Sequence, residues 1–327
     1  INRSNALGCR LGNLYRNPIA PHARRLIGSG LRGPIMLKKF QASKVVAWAI
    51  IAIAVLVTVF PFYWMIRTAI TPQADLIAES TRLWPSHPTM INFKRILGMV
   101  SVEEAMAAGG SGATINFAIA TTNSLIYAGG IAIIQTFFAS CAAYAFARLK
   151  FPFKNALFAC VIGALMIPGI FSLLPNYVLI KQLGWLNTMQ GMMLPALFMA
   201  PFSIFFLRQF FLSLPREVEE AAMLDGLGPV RRFFKVTIPM SAGPIMTMTL
   251  ITIIGMWKDF LWPLLTGREG AQLLTVALGI FQQQSPNRAP DWTGLMAGST
   301  LSVIPVLILL ILMGRKLVES LNFSGIK

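Results

Sequence analysis

Six long apolar stretches, separated by polar connections, set the rhythm of this chain. The first runs from about Val45 to Ile66 and the second from about Ile119 to Ala145. The third covers about Ala156 to Leu174, with Pro168-Gly169 breaking it, and the fourth about Gly191 to Phe211, with Pro195 and Pro201 inside it. The fifth spans about Pro244 to Leu265 and the sixth about Leu295 to Met313. Each is close to the roughly 20 residues that a helix needs to cross a hydrocarbon core of about 30 Å. The pattern predicts an all-α membrane protein with six transmembrane helices, because a helix satisfies its own backbone amides inside lipid. Proline in such a helix frees carbonyls that must find partners on a neighbour, so kinks are expected in the third and fourth.

One polar island departs from this rhythm: residues 213–242, S-L-P-R-E-V-E-E-A-A-M-L-D-G-L-G-P-V-R-R-F-F-K-V-T-I-P-M-S-A. Pro215 falls where a first helical turn tolerates it, Glu217, Glu219 and Glu220 crowd the positive end of that helix, and Gly226 follows its end. Pro229 opens a second helix, expected to stop at Pro239. The product is a helix-turn-helix protruding from the bilayer. The 67–115 connection is balanced in charge and ends in the glycine-rich Ala107–Ala113 run, expected to be flexible. The connections at 176–190 and 266–293 are read as further polar links. Lys258 and Asp259 lie near the far end of the fifth stretch and are expected to pair with each other or with a neighbouring subunit. Polar or aromatic side chains inside the spans, namely Asn123, Tyr127, Gln135, Trp257, Asp259 and Trp262, are the candidates for a substrate path.

Composition agrees with the pattern. With 55% hydrophobic and 12% charged residues and a mean hydropathy of +0.65, a soluble globular domain is excluded. The net charge of +16 raises nucleic acid as a partner, but the basic residues sit between apolar helices. Residues 1–44 carry nine Lys and Arg, 148–154 three, 208–242 five and the tail three, against eight in all other connections. By the positive-inside bias both termini and the polar island face the cytoplasm. Cys9, Cys141 and Cys160 have no C-x-x-C spacing, and His22 and His87 are isolated, so neither a disulfide framework nor a metal site is expected. Gly28-Ser-Gly30-Leu-Arg-Gly33 fits G-x-G-x-x-G, but Pro34 stands where a helix should open. Residues 1–35 hold six Arg and no acid; they are expected to be a basic extension outside the fold, with Met36 a natural start and 36–327 the six-span domain.

Within the island, Glu220-Ala221-Ala222, three residues, Gly226, nine residues and Val236-x-Ile238-Pro239 resemble the EAA signature of permease subunits of binding-protein-dependent ABC importers. That family usually has Ile-x-Leu-Pro at the last position. Asn123-Ser124, the A-A-Y-A-F-A-R run ending at Arg148, Trp257-x-Asp259-Phe260 and Ser324-Gly-Ile-Lys327 are similar to the maltose-permease type, specifically its second six-span subunit. Lys258 stands where that family commonly has Asn. The resemblance implies the type I ABC importer permease fold, in an inner membrane, with the island as a coupling helix docking on an ATPase through Glu220, Ala221, Ala222, Asp225, Gly226 and Pro239. It also implies a tail reaching toward the ATPase dimer at Lys327. The implied partners are a second permease subunit, two ATPase subunits and an extracytoplasmic sugar-binding protein, besides membrane lipid. ATP and Mg would belong to the ATPase and no cofactor to this chain, which has no Walker A spacing and no catalytic cluster. A sugar is the expected solute, with glycerol phosphate, a polyol, an amino acid or a peptide as alternatives.

The charge asymmetry predicts that a cysteine placed at Leu227 is labelled only by reagents that reach the cytoplasmic side of an intact cell. Strong labelling from outside would overturn the topology.

Overall fold

The computed structural model describes residues 35–198, 200–283 and 290–322. The expected extension up to Pro34, and the tail with Ser324 and Lys327, lie outside the described residues. One unit ends at Thr58 and a second begins at Val59. The first contains the leading part of helix α1 (Ile35–Ala69). Its side chains from Lys44 to Thr58 are all exposed, and the Thr58 hydroxyl donates to the Ala54 carbonyl at 2.8 Å. An apolar helix with its hydroxyl satisfied internally suits lipid.

The second unit continues through α2 (Ile91–Ile96), α3 (Val102–Ala107), α4 (Phe117–Arg148), α5 (Lys154–Leu165), α6 (Ile170–Gln182), α7 (Met189–Leu197), α8 (Pro201–Ser213), α9 (Arg216–Leu224), α10 (Pro229–Arg232), α11 (Ile238–Met240), α12 (Ala242–Trp257), α13 (Leu261–Thr266), α14 (Leu274–Gln283) and α15 (Trp292–Asn322). Among the described residues there is no strand. Helices α1, α4 and α15 are long and apolar enough to cross a membrane, and the bent pairs α5–α6, α7–α8 and α10–α12 raise the number to six.

Helix α4 is the centre of this unit, packed on α7, α8, α12 and α14. Its buried face repeats every four residues as Ala120, Ser124, Ala128, Ala132, Thr136, Ser140 and Tyr144. Small side chains at that spacing let neighbouring backbones approach closely, which is how helices associate where lipid is as apolar as they are. Around the lower half, Ala139, Ala143 and Tyr144 meet Ala200, Ile204, Leu207, Phe211, Phe233 and Met248 in one cluster.

Several expected boundaries shift. The third stretch turns by 101° between α5 and α6, where Pro168 cannot continue the helical ladder. Helix α6 then extends to Gln182, through residues read as a connection, because the fully buried Ile180 anchors its last turns. The fifth stretch breaks after Trp257: Pro263 is incompatible with a helix running through Asp259, four residues earlier, and sits instead in the first turn of α13. The 266–293 connection is not simply polar, since α14 buries Leu274, Val276, Ala277, Leu278 and Phe281.

The Ala107–Ala113 run is packed rather than loose. Arg95 and Asp291 form a salt bridge with side chains 5% and 1% exposed. The Ser111 amide donates to Asp291 Oδ2 at 3.2 Å, and a Cβ at Gly110 would collide with the Arg95 guanidinium. Arg95 also donates to Asn92 Oδ1 at 3.0 Å, while Asn92 donates to the Ala69 and Thr71 carbonyls, both at 2.8 Å. The other Asp291 oxygen accepts the Gly294 amide at 2.9 Å and caps α15. Burial pushes the Arg95 pKa down from its ordinary value, so the carboxylate is what makes its charge tolerable there.

Arg95→Met should therefore leave Asp291 uncompensated and cost about 3–5 kcal/mol of stability. Arg95→Met with Asp291→Asn, which keeps an acceptor for the α15 cap, should cost less than the single change in thermal unfolding of the solubilised protein. A double variant no better than the single would show that charge compensation is not what the pair provides.

Candidate functional site

Helix α9 begins at Arg216, one residue after Pro215, and carries Glu217 and Glu219 in its first turn, where the amide dipole favours negative charge. It ends in a Schellman turn: the Gly226 amide donates to the Met223 carbonyl and the Leu227 amide to the Ala222 carbonyl, each at 3.0 Å. Gly226 has φ +76°, and a Cβ added there meets nothing within 4 Å. The constraint at Gly226 is thus its left-handed backbone, not crowding between the two short helices.

The second helix ends at Met240, one residue past the expected stop at Pro239. It passes from α10 through a π-helical turn at Phe233–Thr237 into α11, and the chain then bends by 79° into α12. In that turn the Ile238 amide reaches back to the Phe233 carbonyl. The widened turn shifts the carbonyls that Pro239 would otherwise strike, which lets proline sit inside the helix. It also turns Phe233 inward, its ring 5.2 Å from that of Tyr144.

The candidate coupling residues divide by exposure. Glu220, Ala221, Asp225, Gly226 and Pro239 are exposed, whereas Ala222 is buried toward the bundle. Apolar side chains accompany the exposed set: Leu224 is 90% exposed, and Val218, Met223, Val230 and Phe234 are also exposed. These exposed apolar side chains sit on a loop that is otherwise polar.

One residue before the expected Glu220, Glu219 turns the other way. Its Oε2 accepts Arg148 Nε at 3.1 Å, with the two side chains 12% and 8% exposed. Arg148 Nη2 also donates to the Phe211 and Leu214 carbonyls at 2.7 and 2.8 Å, closing the end of α8. The Tyr144 hydroxyl donates to the Pro229 carbonyl at 3.2 Å and lies 3.5 Å from Glu219 Oε1. Reading the sequence singled out Glu220 and passed over Glu219. The available signal was spacing: Tyr144 and Arg148 are four apart on one helical face, and Glu219 and Ala222 three apart on another.

The candidate path residues are brought to helix contacts. Tyr127 donates to Asp259 Oδ2 at 2.9 Å, Asn123 to the Gln272 carbonyl at 3.1 Å, and Gln135 to the Ala196 carbonyl at 2.7 Å. The Trp257 indole donates to the Ser302 carbonyl at 3.2 Å and that of Trp262 to the Met192 carbonyl at 2.9 Å. Asp259 is held by Tyr127, not by the expected Lys258, which is exposed. Among the described residues no group of acidic, His and Cys side chains could hold a metal ion.

Comparison with known proteins gives three kinds of match. The sequence profile described as "Binding-protein-dependent transport system inner membrane component" matches residues 135–322. The chain is 29% identical over 292 residues to a probable ABC transporter permease protein, YurM, of Bacillus subtilis, covering 89% of this chain and 91% of that one. It is 29% identical to the arabinooligosaccharides transport system permease protein AraQ of Halalkalibacterium halodurans, covering 88% and 99%. It is 28% identical to the sn-glycerol-3-phosphate transport system permease protein UgpE of Agrobacterium fabrum, covering 88% and 98%. A crystal structure of a bacterial ABC transporter involved in the import of the acidic polysaccharide alginate contains a chain of the same fold, with TM-score 0.70, 19% identity and coverage of 84% and 96%.

Gly226→Ala should cost about 1 kcal/mol through its left-handed backbone, seen as several-fold faster hydrogen exchange in the last turn of α9. Gly228→Ala, at φ −66° with open space around it, should leave exchange unchanged. Equal effects at the two glycines would contradict the backbone explanation.

Proposed function

The chain belongs to the family of binding-protein-dependent transport system inner membrane components, and from that premise we propose that it is the permease subunit of an ATP-driven carbohydrate importer. The observation that carries this reading is the 213–242 loop, with its Glu220-to-Pro239 spacing and the exposed apolar residues around Leu224. A second permease subunit completes the translocation path, an extracytoplasmic binding protein delivers solute, and two ATPase subunits bind ATP and Mg. This chain hydrolyses nothing itself. Glu220 and Asp225 offer carboxylates to basic groups of the ATPase, while Ala221 and Gly226 permit close approach.

A polyhydroxylated solute is supported by the relatives: one is named for arabinooligosaccharides, another for sn-glycerol-3-phosphate. The second of these keeps a phosphorylated polyol as the alternative. In either case Trp257 and Trp262 are candidates through their ring faces, since their indole nitrogens are already bonded to helix carbonyls.

Two measurements test the reading. In the complex purified through a tag on this chain, Glu220→Lys and Gly226→Asp should keep the membrane level of the subunit and weaken ATPase recovery roughly thirtyfold, the equivalent of a lost charged contact of about 2 kcal/mol. Stimulated ATP hydrolysis should fall with it, and retention of both would remove the loop from coupling. Mass spectrometry of the ligand carried by the copurified binding protein should find a sugar or a polyol phosphate. An amino acid or peptide would overturn the carbohydrate assignment.

A further inference from the structure

The structure assigns a second role at the root of the coupling loop: we propose that Arg148, Glu219 and Tyr144 are positioning residues that make the loop move as one body with α4. This rests on the reading of 213–242 as the coupling loop, but concerns a different step, the transfer of motion from a docked loop to the bundle.

Four elements meet at Arg148. Its own helix, α4, ends there. Its Nη2 holds the last carbonyls of α8 at Phe211 and Leu214, its Nε holds Glu219 of α9, and Tyr144, one turn back, holds the Pro229 carbonyl that opens α10. Both charged side chains are nearly buried, so the pair is shielded from solvent and from salt. A buried, hydrogen-bonded pair has a narrow set of good geometries. A rotation of α9 therefore carries Arg148 with it. The Phe233 ring against Tyr144 adds an apolar contact at the same point.

The cluster is unevenly charged. Arg232 of α10 is buried, its Nε has no hydrogen-bond partner, and it acts electrostatically on the same Tyr144 that Arg148 and Glu219 face. Loss of Glu219 leaves the Arg148 guanidinium buried without its carboxylate, and loss of Arg148 leaves Glu219 unpaired and strands the Phe211 and Leu214 carbonyls. Either change should therefore loosen the joint.

The test compares Glu219→Gln, Arg148→Met, Tyr144→Phe and the double variant Glu219→Gln with Arg148→Met, in the intact complex purified through a tag on this chain. Expected are ATPase recovery within about twofold of wild type and hydrolysis stimulated by the copurified binding protein reduced about tenfold in both Glu219→Gln and Arg148→Met, because truncating one side of a buried charge pair strands the other. Tyr144→Phe, which removes only a hydroxyl, should lose roughly threefold. The double variant should lose no more than the worse single variant, since both side chains act through one contact. Stimulated hydrolysis at the wild-type level in the single variants, or losses that multiply in the double variant as for independent sites, overturns the proposal. If the charged variants do not accumulate, Tyr144→Phe decides: unchanged stimulation overturns the proposal. Loss of ATPase recovery would place Glu219 in docking, which also overturns it. Failure of the coupling-loop reading itself is separate, since there Glu220→Lys and Gly226→Asp retain the ATPase.

Discussion

The fold depends on how closely other helices can approach α4. Inside a bilayer the hydrophobic effect does not press one apolar helix against another, so association rests on dispersion contacts and a few hydrogen bonds. The four-residue repeat from Ala120 through Ser124, Ala128, Ala132, Thr136 and Ser140 supplies a ridge of small side chains along the whole span. Helices α7 and α12 close on that helix, and this closeness brings Gln135 within 2.7 Å of the Ala196 carbonyl and 3.4 Å of the Thr252 hydroxyl. A larger residue on the ridge would separate the helices and strand those polar groups. The same repeat ends in Tyr144 and Arg148, so the packing ridge and the contacts to the loop are one continuous face.

Polar residues in the spans are consequently interhelical bonds. Tyr127 and Asp259 tie α4 to the break between α12 and α13, and the Thr275 hydroxyl holds the Asp259 carbonyl at 2.6 Å, which brings the start of α14 to the same break. Ser124 accepts the Leu274 amide at 2.8 Å and satisfies the first turn of α14. Each bond fixes an irregular piece of backbone that lipid alone could not accommodate. The break at Lys258–Phe260 is tolerated because Asp259 at its centre is held by such partners through both its side chain and its carbonyl.

Much of this was legible in the residues. Hydropathy placed the long segments, and proline and glycine marked the bends at Pro168 and near Pro239. The loop declared itself through charge and spacing, because it is polar where everything around it is not. Three features were hidden. The side of α9 that faces the bundle could not be chosen between Glu219 and Glu220 without knowing that Ala222 packs inward. The π turn has no composition of its own and arises from the need to fit Pro239 into the last turn of the helix. The order in Ala107–Ala113 depends on Asp291, about 180 residues away in the chain, and no local reading of a glycine-rich run could reveal it.

The two ends of the bundle differ in how firmly their backbone is held. At one end, Arg95, Asp291, Asn92, Thr293 and Gln73 form a closed network, in which the Thr293 hydroxyl donates to Gln73 Oε1 at 2.9 Å and lies 3.2 Å from Asn92 Oδ1. Fully satisfied buried networks of this kind specify one arrangement and resist local opening. At the other end, Arg232 Nε and Ser241 Oγ are buried without a partner, the helix carries a π turn, and apolar side chains around Leu224 face outward. A segment with unsatisfied groups gives up fewer good contacts when it rearranges and gains more from a partner that covers it. Stiffness at the Arg95 end and adaptability at the loop end suit a lever under the proposed coupling role: force applied at the loop would turn α4 about a fixed far end instead of sliding the bundle as a whole. The lever works only if the loop is fastened to α4 more tightly than the loop is folded within itself, and the contacts converging on Arg148 are the fastening that this end of the molecule contains.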